Sequence, residues 1–250
     1  MTKYWSNLFK KTSRQRPAPA SDPWRYADIG KTEQEIIDRV SPFTMTSPER
    51  LISLIRAAEY VIEQNIEGDF VECGVWRGGS AMAMALTLER RRARNRQLYL
   101  YDTYEGMSEP TPEDESFAGE TAKKLLDNSS REDARGVWCY STLEEVMQNV
   151  DSTRYPSSHL HFVKGKVEDT IPDQAPDKIA LLRLDTDWYE STKHEMEHLF
   201  PRLRPGGVII IDDYGHWKGC RRAVDEYLRD NGISLFLTRV DYTCRLAVKM

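Results

Sequence analysis

Five short apolar segments recur along this 250-residue chain, and each is followed by a segment with helical character. The apolar segments are residues 70–71, 98–101, 160–163, 179–184 and 208–211. Apolar strands that alternate with helices are typical of a parallel sheet with helices on both faces. We therefore predict a doubly wound, mostly parallel α/β sheet. Two C-terminal runs, residues 235–240 and 244–248, are predicted to add an antiparallel strand pair. One helix is predicted to begin within residues 141–145 and another to span about residues 191–203, after which residues 205–207 are predicted to turn the chain into the fifth strand.

A glycine-rich turn connects the first predicted strand to a helix of small residues that begins near Ser80. We expect Gly74, Gly78 and Gly79 to bend the backbone and to let it approach a ligand closely. The N-terminus of the helix would offer free N–H groups and the positive end of its dipole. Glu72 precedes the turn. A carboxylate there suits a ligand with positive charge or hydrogen-bond donors better than it suits a pyrophosphate.

The spacing of this turn, Glu72-x-Gly74-x-x-x-Gly78, differs from the G-x-G-x-x-G pattern that binds dinucleotides. Asp102 ends the second predicted strand, where a carboxylate can accept hydrogen bonds from ribose hydroxyls. The sequence therefore favours an adenosyl ligand that lacks a pyrophosphate. An NAD-dependent oxidoreductase and a non-catalytic adenosyl-binding scaffold are the alternatives.

Acidic residues also follow the fourth and fifth predicted strands. Asp185 and Asp187 come after the run 179–184, and Asp212 and Asp213 come after the run 208–211. Because ligands bind beyond the carboxyl ends of such strands, we expect these acids to converge. Three carboxylates in a small volume require a proton or a cation, and Mg²⁺ prefers oxygen ligands. Two interpretations fit this pattern. In the first, the acids form a metal site and Asp187 is a nearby base. In the second, the acids are helix caps and solvated loop residues.

Residues 194–198 match H-E-x-x-H, a pattern that places two zinc-binding histidines on one helix face. Pro201 occupies the position where the extended motif requires glycine, and no glutamate follows at the usual distance of a third ligand. We interpret His194 and His198 as surface or packing residues. His216 and Trp217 follow the acid pair, and they would either line the substrate entrance or pack beneath the loop.

Composition limits the partners and the compartment. The formal net charge of -5 gives no support for a nucleic-acid partner. The four cysteines form no C-x-x-C pair, so we expect a reducing cytoplasm rather than a disulfide framework. No apolar run has the length of a transmembrane segment, and the N-terminus lacks the apolar region of a signal peptide. A homo-oligomer is compatible with the sequence.

Five sequence blocks together resemble the macrocin O-methyltransferase (TylF/MycF-type) family of metal-dependent sugar O-methyltransferases. The blocks are residues 43–46 (FTMT), 72–79 (ECGVWRGG), 102–106 (DTYEG), 182–192 (LRLDTDWYEST) and 212–214 (DDY). The resemblance covers roughly residues 43–230 and implies the Rossmann-like sheet of class I S-adenosylmethionine-dependent methyltransferases. It also implies S-adenosylmethionine and Mg²⁺ as cofactors.

The resemblance assigns a role to each motif. Asp185, Asp212 and Asp213 would bind Mg²⁺, and the catalytic residues would be Asp187, as general base, and Asp185. The turn after the first strand would hold the methionine end of the cofactor, and Asp102 would hold its ribose. The residues expected at the cofactor are Thr46, Glu72, Cys73, Gly74, Val75, Trp76, Ser80, Asp102, Ser141, Gly165, Lys166 and Asp185.

The implied reaction transfers a methyl group to a hydroxyl of a sugar or of a glycosylated natural product. Three parts of the chain are expected: a flexible basic arm over residues 1–23, a helical segment or lid over 24–66, and a methyltransferase domain over 67–250 with an insertion at about 105–140. In the second part, the segment 32–35 is predicted to start a helix with a capping box, and Ser47 is predicted to cap the next helix. Three acceptors are compatible with the sequence: a sugar of an antibiotic, a sugar of a surface glycan and a sugar of another natural product.

Overall fold

A computed structural model of the protein describes residues 27–133 and 136–250, and the predicted basic arm lies outside these ranges. The helices are α1 (Lys31–Val40), α2 (Pro48–Glu63), α3 (Gly79–Arg90), α4 (Ala122–Asp127), α5 (Leu143–Asp151), α6 (Val167–Thr170), α7 (Tyr189–His198) and α8 (Lys218–Asp230). The strands are β1 (Asp69–Cys73), β2 (Leu98–Asp102), β3 (Leu160–Lys164), β4 (Ile179–Leu184), β5 (Leu203–Ile211), β6 (Thr238–Arg239) and β7 (Arg245–Val248). Short 3₁₀ helices occur at Ser41–Phe43, Ser157–His159 and Phe200–Arg202.

All seven strands belong to one sheet, in the order β3-β2-β1-β4-β5-β7-β6. The neighbours from β3 to β5 are parallel, whereas β7 is antiparallel to both β5 and β6. The predicted doubly wound, mostly parallel sheet with a C-terminal antiparallel pair is confirmed. The direction of winding reverses between β1 and β4, and such a switch point is where open α/β sheets bind ligands.

The sheet is buried on both faces because successive strand residues point into two different apolar layers. In β1, Phe70 packs in the layer that contains residues of α1, α2, α3 and α5. The next residue, Val71, packs in the layer that contains residues of α7 and α8. Ile210 and Ile211 divide in the same way at the end of β5. This double burial explains why the strands read as continuous apolar runs.

The starts of the first two helices test the predicted caps. The prediction for α2 is confirmed, because Ser47 Oγ accepts a hydrogen bond from the Arg50 N–H and Pro48 is the first helical residue. The prediction for α1 is confirmed in part, because a helix whose N3 glutamate accepts from the capping backbone is present, but it begins one residue early. The helix starts at Lys31 and not within 32–35, because the Gly30 N–H donates to Glu33 Oε2 at 2.7 Å and so fixes the cap earlier.

The boundary between α7 and β5 also differs from the prediction of a helix over 191–203 and a strand over 208–211. The helix ends at His198, and β5 already begins at Leu203. Both Leu203 and Val208 pair with β4, so the Pro-Gly-Gly segment between them is an irregularity within one strand and not a turn. Gly206 permits this, since its φ is +82° and a Cβ there would lie 2.7 Å from the Ile66 side chain.

The predicted insertion at about 105–140 contains α4 and is attached to the loop that follows β5. An isolated bridge joins Ser116 to Trp217, and the Lys218 N–H donates to the Glu115 carbonyl at 2.9 Å. The segment therefore lies over the carboxyl ends of the strands. Across residues 27–133 and 136–250, every helix is too short or too polar to cross a lipid bilayer.

Candidate functional site

A cavity of about 500 Å³ opens at the carboxyl ends of β1, β2, β4 and β5. Most residues proposed from the sequence for the cofactor, the metal and catalysis line it. They are Thr46, Gly74, Val75, Trp76, Ser80, Asp102, Gly165, Lys166, Asp185, Asp187, Asp212 and Asp213. Within the described chain, Glu72, Cys73 and Ser141 are buried outside the cavity lining. The Ser141 hydroxyl instead donates to Glu145 Oε2 at 3.1 Å.

The acids converge because the hydrogen-bond ladder of the sheet continues one residue beyond the strands. The Asp185 N–H donates to the Cys73 carbonyl at 2.8 Å, and the Asp212 N–H donates to the Leu184 carbonyl at 2.9 Å. These two bonds place the residues after β4 and β5 side by side, next to the glycine turn. The acids that follow β4 and β5 were expected to converge, and the structure places them side by side.

The glycines of the turn are required mainly by close packing within the chain itself. Gly74 has φ +83°, and a Cβ there would lie 2.0 Å from the Asp185 carbonyl oxygen. A Cβ on Gly79 would lie 2.6 Å from Thr44 Cβ and 2.7 Å from the Phe43 carbonyl oxygen. The sequence suggested instead that these glycines let the backbone approach a ligand. Gly74 does line the cavity, but the neighbouring strand end already excludes any side chain there.

Asp102 organises the turn from the end of β2. Its Oδ2 accepts hydrogen bonds from the Val75 N–H at 2.7 Å and the Trp76 N–H at 3.0 Å, and its Oδ1 accepts from the Tyr104 N–H at 2.7 Å. Burial raises the pKa of Asp102, and these backbone bonds oppose that effect. Trp76 lines the cavity and has a buried indole N–H without a partner among the described residues. A bound ligand with an acceptor atom would satisfy this donor.

Three carboxylates meet beyond β4 and β5. Asp185, Asp212 and Asp213 each offer an oxygen, and these oxygens all lie within 4.8 Å of one another. Asp213 Oδ2 is buried and has no hydrogen-bond partner in the described chain. An unpaired buried carboxylate oxygen is costly, which makes this position suited to a cation.

Arg183 links the cluster to Glu72. The side chain is only 2% exposed, and its guanidinium contacts Glu72 Oε1 and Asp185 Oδ2 at 2.7 Å each and Asp212 Oδ1 at 2.9 Å. The sequence motifs assign no role to Arg183, although an arginine inside the apolar run 179–184 is a signal for one. A charge in a buried strand requires partners, and the acids at the neighbouring strand ends supply them.

A second arginine reaches the cluster from the start of α2. Arg50 lines the cavity, and its Nη1 is ion-paired with Asp212 Oδ2, while its Nε lies 3.1 Å from Asp241 Oδ2. No signal in the sequence pointed to it, because Arg50 lies on a helix far from these acids along the chain. Asp212 is therefore held by two guanidinium groups that come from different elements.

The charges of the site do not balance. Six carboxylates face two guanidinium groups, which leaves four excess negative charges when all are ionised; the carboxylates are those of Glu72, Asp185, Asp187, Asp212, Asp213 and Asp241. Burial raises the pKa of Asp185 and Asp213 well above its usual value, and the neighbouring carboxylates add to this effect. For Asp212, Arg183 and Arg50 overcome the effect of burial and lower the pKa. Such a site favours the arrival of positive charge.

Asp187 occupies a constrained position beside the cluster. Its φ is +66°, and the Trp188 N–H donates across it to the Thr186 carbonyl at 2.7 Å, which closes a three-residue turn. Trp217 Nε1 donates to Asp187 Oδ1 at 2.6 Å. Burial, followed by repulsion from Asp185, raises the pKa of Asp187 to about 8. Trp217 and His216 both line the cavity; Trp217 is buried and His216 is half-buried.

The H-E-x-x-H segment lies on α7, where His194 and Glu195 make hydrogen bonds to neighbouring segments of the chain. His194 Nε2 is hydrogen-bonded to the Ile171 carbonyl at 2.9 Å. Glu195 is fully buried, and its Oε1 accepts from Thr186 Oγ1 at 2.9 Å, next to the constrained Asp187. In the part of the chain that the structure describes, the carboxylates after β4 and β5 are the only group of three or more side chains suitably placed to hold a metal.

Comparison with known proteins identifies the relatives of this chain. Residues 3–248 match the family described as macrocin-O-methyltransferase (TylF). The 8-demethyl-8-(2,3-dimethoxy-alpha-L-rhamnosyl)-tetracenomycin-C 4'-O-methyltransferase of Streptomyces olivaceus is 36% identical over 200 residues, which cover 80% of this chain and 73% of that protein. The demethyldecarbamoylnovobiocin O-methyltransferase of Streptomyces niveus is 34% identical over 198 residues, which cover 79% and 72% of the two chains.

Solved structures agree with this assignment. The O-methyltransferase NovP is 30% identical, with a TM-score of 0.72 over 83% of this chain and 82% of that chain. A calicheamicin methyltransferase, 17% identical, shares the fold with a TM-score of 0.59 over 87% and 91% of the two chains. The fold expected from the sequence, that of the class I S-adenosylmethionine-dependent methyltransferases, is confirmed. The chain belongs to the macrocin-O-methyltransferase family and is an S-adenosylmethionine-dependent O-methyltransferase.

Proposed function

We propose that this enzyme requires Mg²⁺ and methylates a hydroxyl of a sugar or of a glycosylated natural product. The observation that carries the proposal is the carboxylate cluster of Asp185, Asp212 and Asp213, with Asp187 beside it in one cavity. A relative named for a rhamnosyl-tetracenomycin supports a glycosylated acceptor, and one named for demethyldecarbamoylnovobiocin supports a natural product.

The cofactor would lie across the glycine turn. Asp102 would hold the ribose, and the unpaired indole N–H of Trp76 would donate to an acceptor atom of the cofactor. Glu72 is proposed to bind the methionine end, although Arg183 holds its Oε1 and the side chain lies outside the cavity lining. Its buried Oε2 has no partner in the described chain and is therefore the atom available for that contact. Of the other proposed contacts, Thr46, Val75, Ser80, Gly165 and Lys166 line the cavity, whereas Cys73 and Ser141 would act from behind its wall.

The residues present fit a hard divalent cation. Carboxylate oxygens are the ligands that Mg²⁺ prefers, and the excess negative charge of the cluster favours a cation. Asp185, Asp212 and Asp213 would hold the ion, and the unpaired Oδ2 of Asp213 would gain a partner. When bound there, Mg²⁺ would lower the pKa of a coordinated acceptor hydroxyl.

In the proposed reaction, Asp187 takes the proton from the acceptor hydroxyl. The hydroxyl oxygen forms a bond to the methyl carbon, the bond from that carbon to sulfur breaks, and the electron pair stays on sulfur. The products are the O-methylated acceptor and S-adenosylhomocysteine. Trp217 keeps Asp187 Oδ1 in place, so the chain contributes positioning and proton transfer.

The proposal is tested by incubating the protein with S-adenosylmethionine, Mg²⁺ and a panel of glycosides, followed by mass spectrometry. We expect a glycoside that gains one methyl group, loss of the product with EDTA, and recovery when Mg²⁺ is restored. Undiminished transfer in EDTA would refute the metal requirement. Cofactor binding without methylation of any glycoside would instead refute the sugar acceptor.

A further inference from the structure

Three aromatic side chains, which we call the aromatic corner, meet beside the cavity, and two of them line it. Phe117 belongs to the segment between β2 and α4, His216 follows β5, and Tyr242 lies between β6 and β7. The Phe117 and His216 ring centroids are 5.5 Å apart, and each of these rings lies 6.1 Å from Tyr242. Phe117 and Tyr242 are 62% and 54% exposed, while His216 is half-buried.

The three rings pack edge to face, and the planes of the three pairs meet at 65° to 73°. Phe117 and Tyr242 nevertheless keep more than half of their surface exposed, which leaves ring surface available to a ligand. Aromatic side chains bury a large area, and they bind an aromatic ring of a ligand by stacking or by edge-on contact. A contiguous exposed apolar patch next to a cavity is typical of a ligand-binding surface.

The corner is held together by backbone hydrogen bonds between distant segments. The Phe117 N–H donates to the His216 carbonyl at 2.8 Å, and the Gly215 N–H donates to the Thr243 carbonyl at 2.7 Å. A Cβ on Gly215 would lie 2.1 Å from the Tyr242 carbonyl oxygen, so the two loops are in close contact. The backbone segments that carry the three rings are thus held together without a ligand, which reduces the entropic cost of binding one.

The corner is also continuous with the reacting groups. His216 packs edge-on against Trp217, with ring centroids 4.9 Å apart, and Trp217 donates to Asp187. His216 and Tyr242 themselves line the cavity. A ligand ring bound at the aromatic corner would therefore lie next to the acceptor sugar, whose reacting hydroxyl is proposed to lie at Asp187.

We propose that the aromatic corner binds the aromatic aglycone of the acceptor, the ring system joined by a glycosidic bond to the methylated sugar. This inference rests on the proposed function, and it adds the chemical class of the aglycone to that of the sugar. Ring faces at Phe117 and Tyr242 recognise another aromatic ring by stacking or edge-on contact, whereas the acids around Asp187 recognise sugar hydroxyls.

The test compares two glycosides of one sugar, a p-nitrophenyl glycoside and a methyl glycoside, chosen as a pair that the enzyme methylates. In Phe117→Ala and Tyr242→Ala, we expect the ratio of the p-nitrophenyl KM to the methyl KM to rise about 3- to 10-fold. The kcat for the p-nitrophenyl glycoside should change little. Phe236→Ala is the matched control, because Phe236 is 87% exposed and is not among the residues that line the cavity. It should keep the wild-type ratio.

An unchanged KM ratio in both corner variants would overturn the inference while methyl transfer to sugars stands. A change in oligomeric state of Phe117→Ala, measured by light scattering, with equal effects on both glycosides would show instead that the corner joins two copies of the chain. If no such pair of glycosides is methylated, the proposed function fails first. Calorimetric titration of the p-nitrophenyl glycoside into protein loaded with S-adenosylhomocysteine then decides whether the ring still binds, and equal affinity in wild type and Phe117→Ala would refute the corner.

Discussion

The hydrogen bond from Trp217 to Asp187 fixes the proposed base at the scale of a single residue. A non-glycine residue at positive φ costs about 1–3 kcal/mol and persists only where its surroundings determine its conformation. Asp187 has φ +66°, and the indole N–H is 2.6 Å from its Oδ1. The orientation of this carboxylate therefore depends on a donor from the loop after β5.

Trp217→Phe should keep an aromatic ring against Trp188 and remove only the donor to Asp187. A hydrogen bond to a charged group contributes about 1.5–3 kcal/mol, so we expect kcat to fall roughly 10- to 100-fold. The KM for S-adenosylmethionine should change little in steady-state kinetics. Trp188→Phe removes an indole N–H that donates to the Ser108 carbonyl instead, and it should lower kcat much less. Equal kcat values for Trp217→Phe and wild type would contradict this role.

Arg183 is expected to determine stability as well as the geometry of the cluster. Arg183→Met leaves Glu72, Asp185 and Asp212 without their shared partner. Removing one member of a buried ion pair typically costs about 3–5 kcal/mol, so the free energy of unfolding in urea should fall by that order. Arg91→Ala, which breaks surface pairs with Glu59 and Glu63, should cost only about 1 kcal/mol. Similar losses in the two variants would show that Arg183 is not a buried bridge.

The sequence predicted the acids of the site and drew attention to Trp217, but it gave no sign of the Trp217 contact with Asp187 or of the two arginines that hold the acids. The positions of Asp185 and Asp212 follow from strand ends, which an apolar run reveals directly. The contact of Arg50 with Asp212 depends on how α2 packs against the sheet, which periodicity does not report. The direction of the Trp217 N–H depends likewise on the conformation of one loop.

At the scale of elements, α7 carries an acid into the core beneath the site. Glu195 is fully buried, and its Oε2 has no partner in the described chain. Burial raises the pKa of Glu195 well above 4.5. The folded state therefore keeps a proton at pH values where the unfolded state has released it. This contribution to stability is fully present below about pH 4.5 and is lost as the pH rises through the folded-state pKa.

Glu195→Gln removes this titration and keeps an oxygen that can accept from Thr186. We expect the free energy of unfolding of the variant, relative to wild type, to increase as the pH rises from about 5 to about 9. Urea denaturation at several pH values measures the difference. Profiles that stay parallel across this range would show that Glu195 is ionised in the folded protein.

Element boundaries were predictable where local chemistry decides them. The apolar run of β4 is bounded by polar residues, and its predicted and observed limits coincide. Thr142, whose side chain accepts from the Glu145 N–H, caps α5 near the predicted start. The segment 205–207 was misread because proline and glycine favour turns, whereas sheet pairing overrides that preference here: the Gly206 N–H donates to the Lys249 carbonyl at 2.7 Å.

At the scale of the whole molecule, the strand order gathers chemistry from distant parts of the chain. The switch point between β1 and β4 brings the cofactor turn next to the acids. Arg50 from α2 and Thr243 from the turn before β7 both contact Asp212, the latter through a 2.7 Å hydrogen bond to its carbonyl. The doubly wound sheet and methyl transfer, rather than NAD-dependent oxidation, were accessible from sequence motifs. The aromatic corner was not, because its three rings come from loops whose contacts no local pattern encodes.

The central claim is that a divalent cation at Asp185, Asp212 and Asp213 is required for methyl transfer to a sugar hydroxyl. The most direct measurement follows an isotopically labelled methyl group from S-adenosylmethionine into a glycoside after the protein has been stripped of metal and titrated with Mg²⁺. We predict that label enters the glycoside only with Mg²⁺, in a saturable manner, and that Asp212→Ala abolishes the transfer. Full-rate labelling by the stripped enzyme, or by Asp212→Ala, would contradict the account.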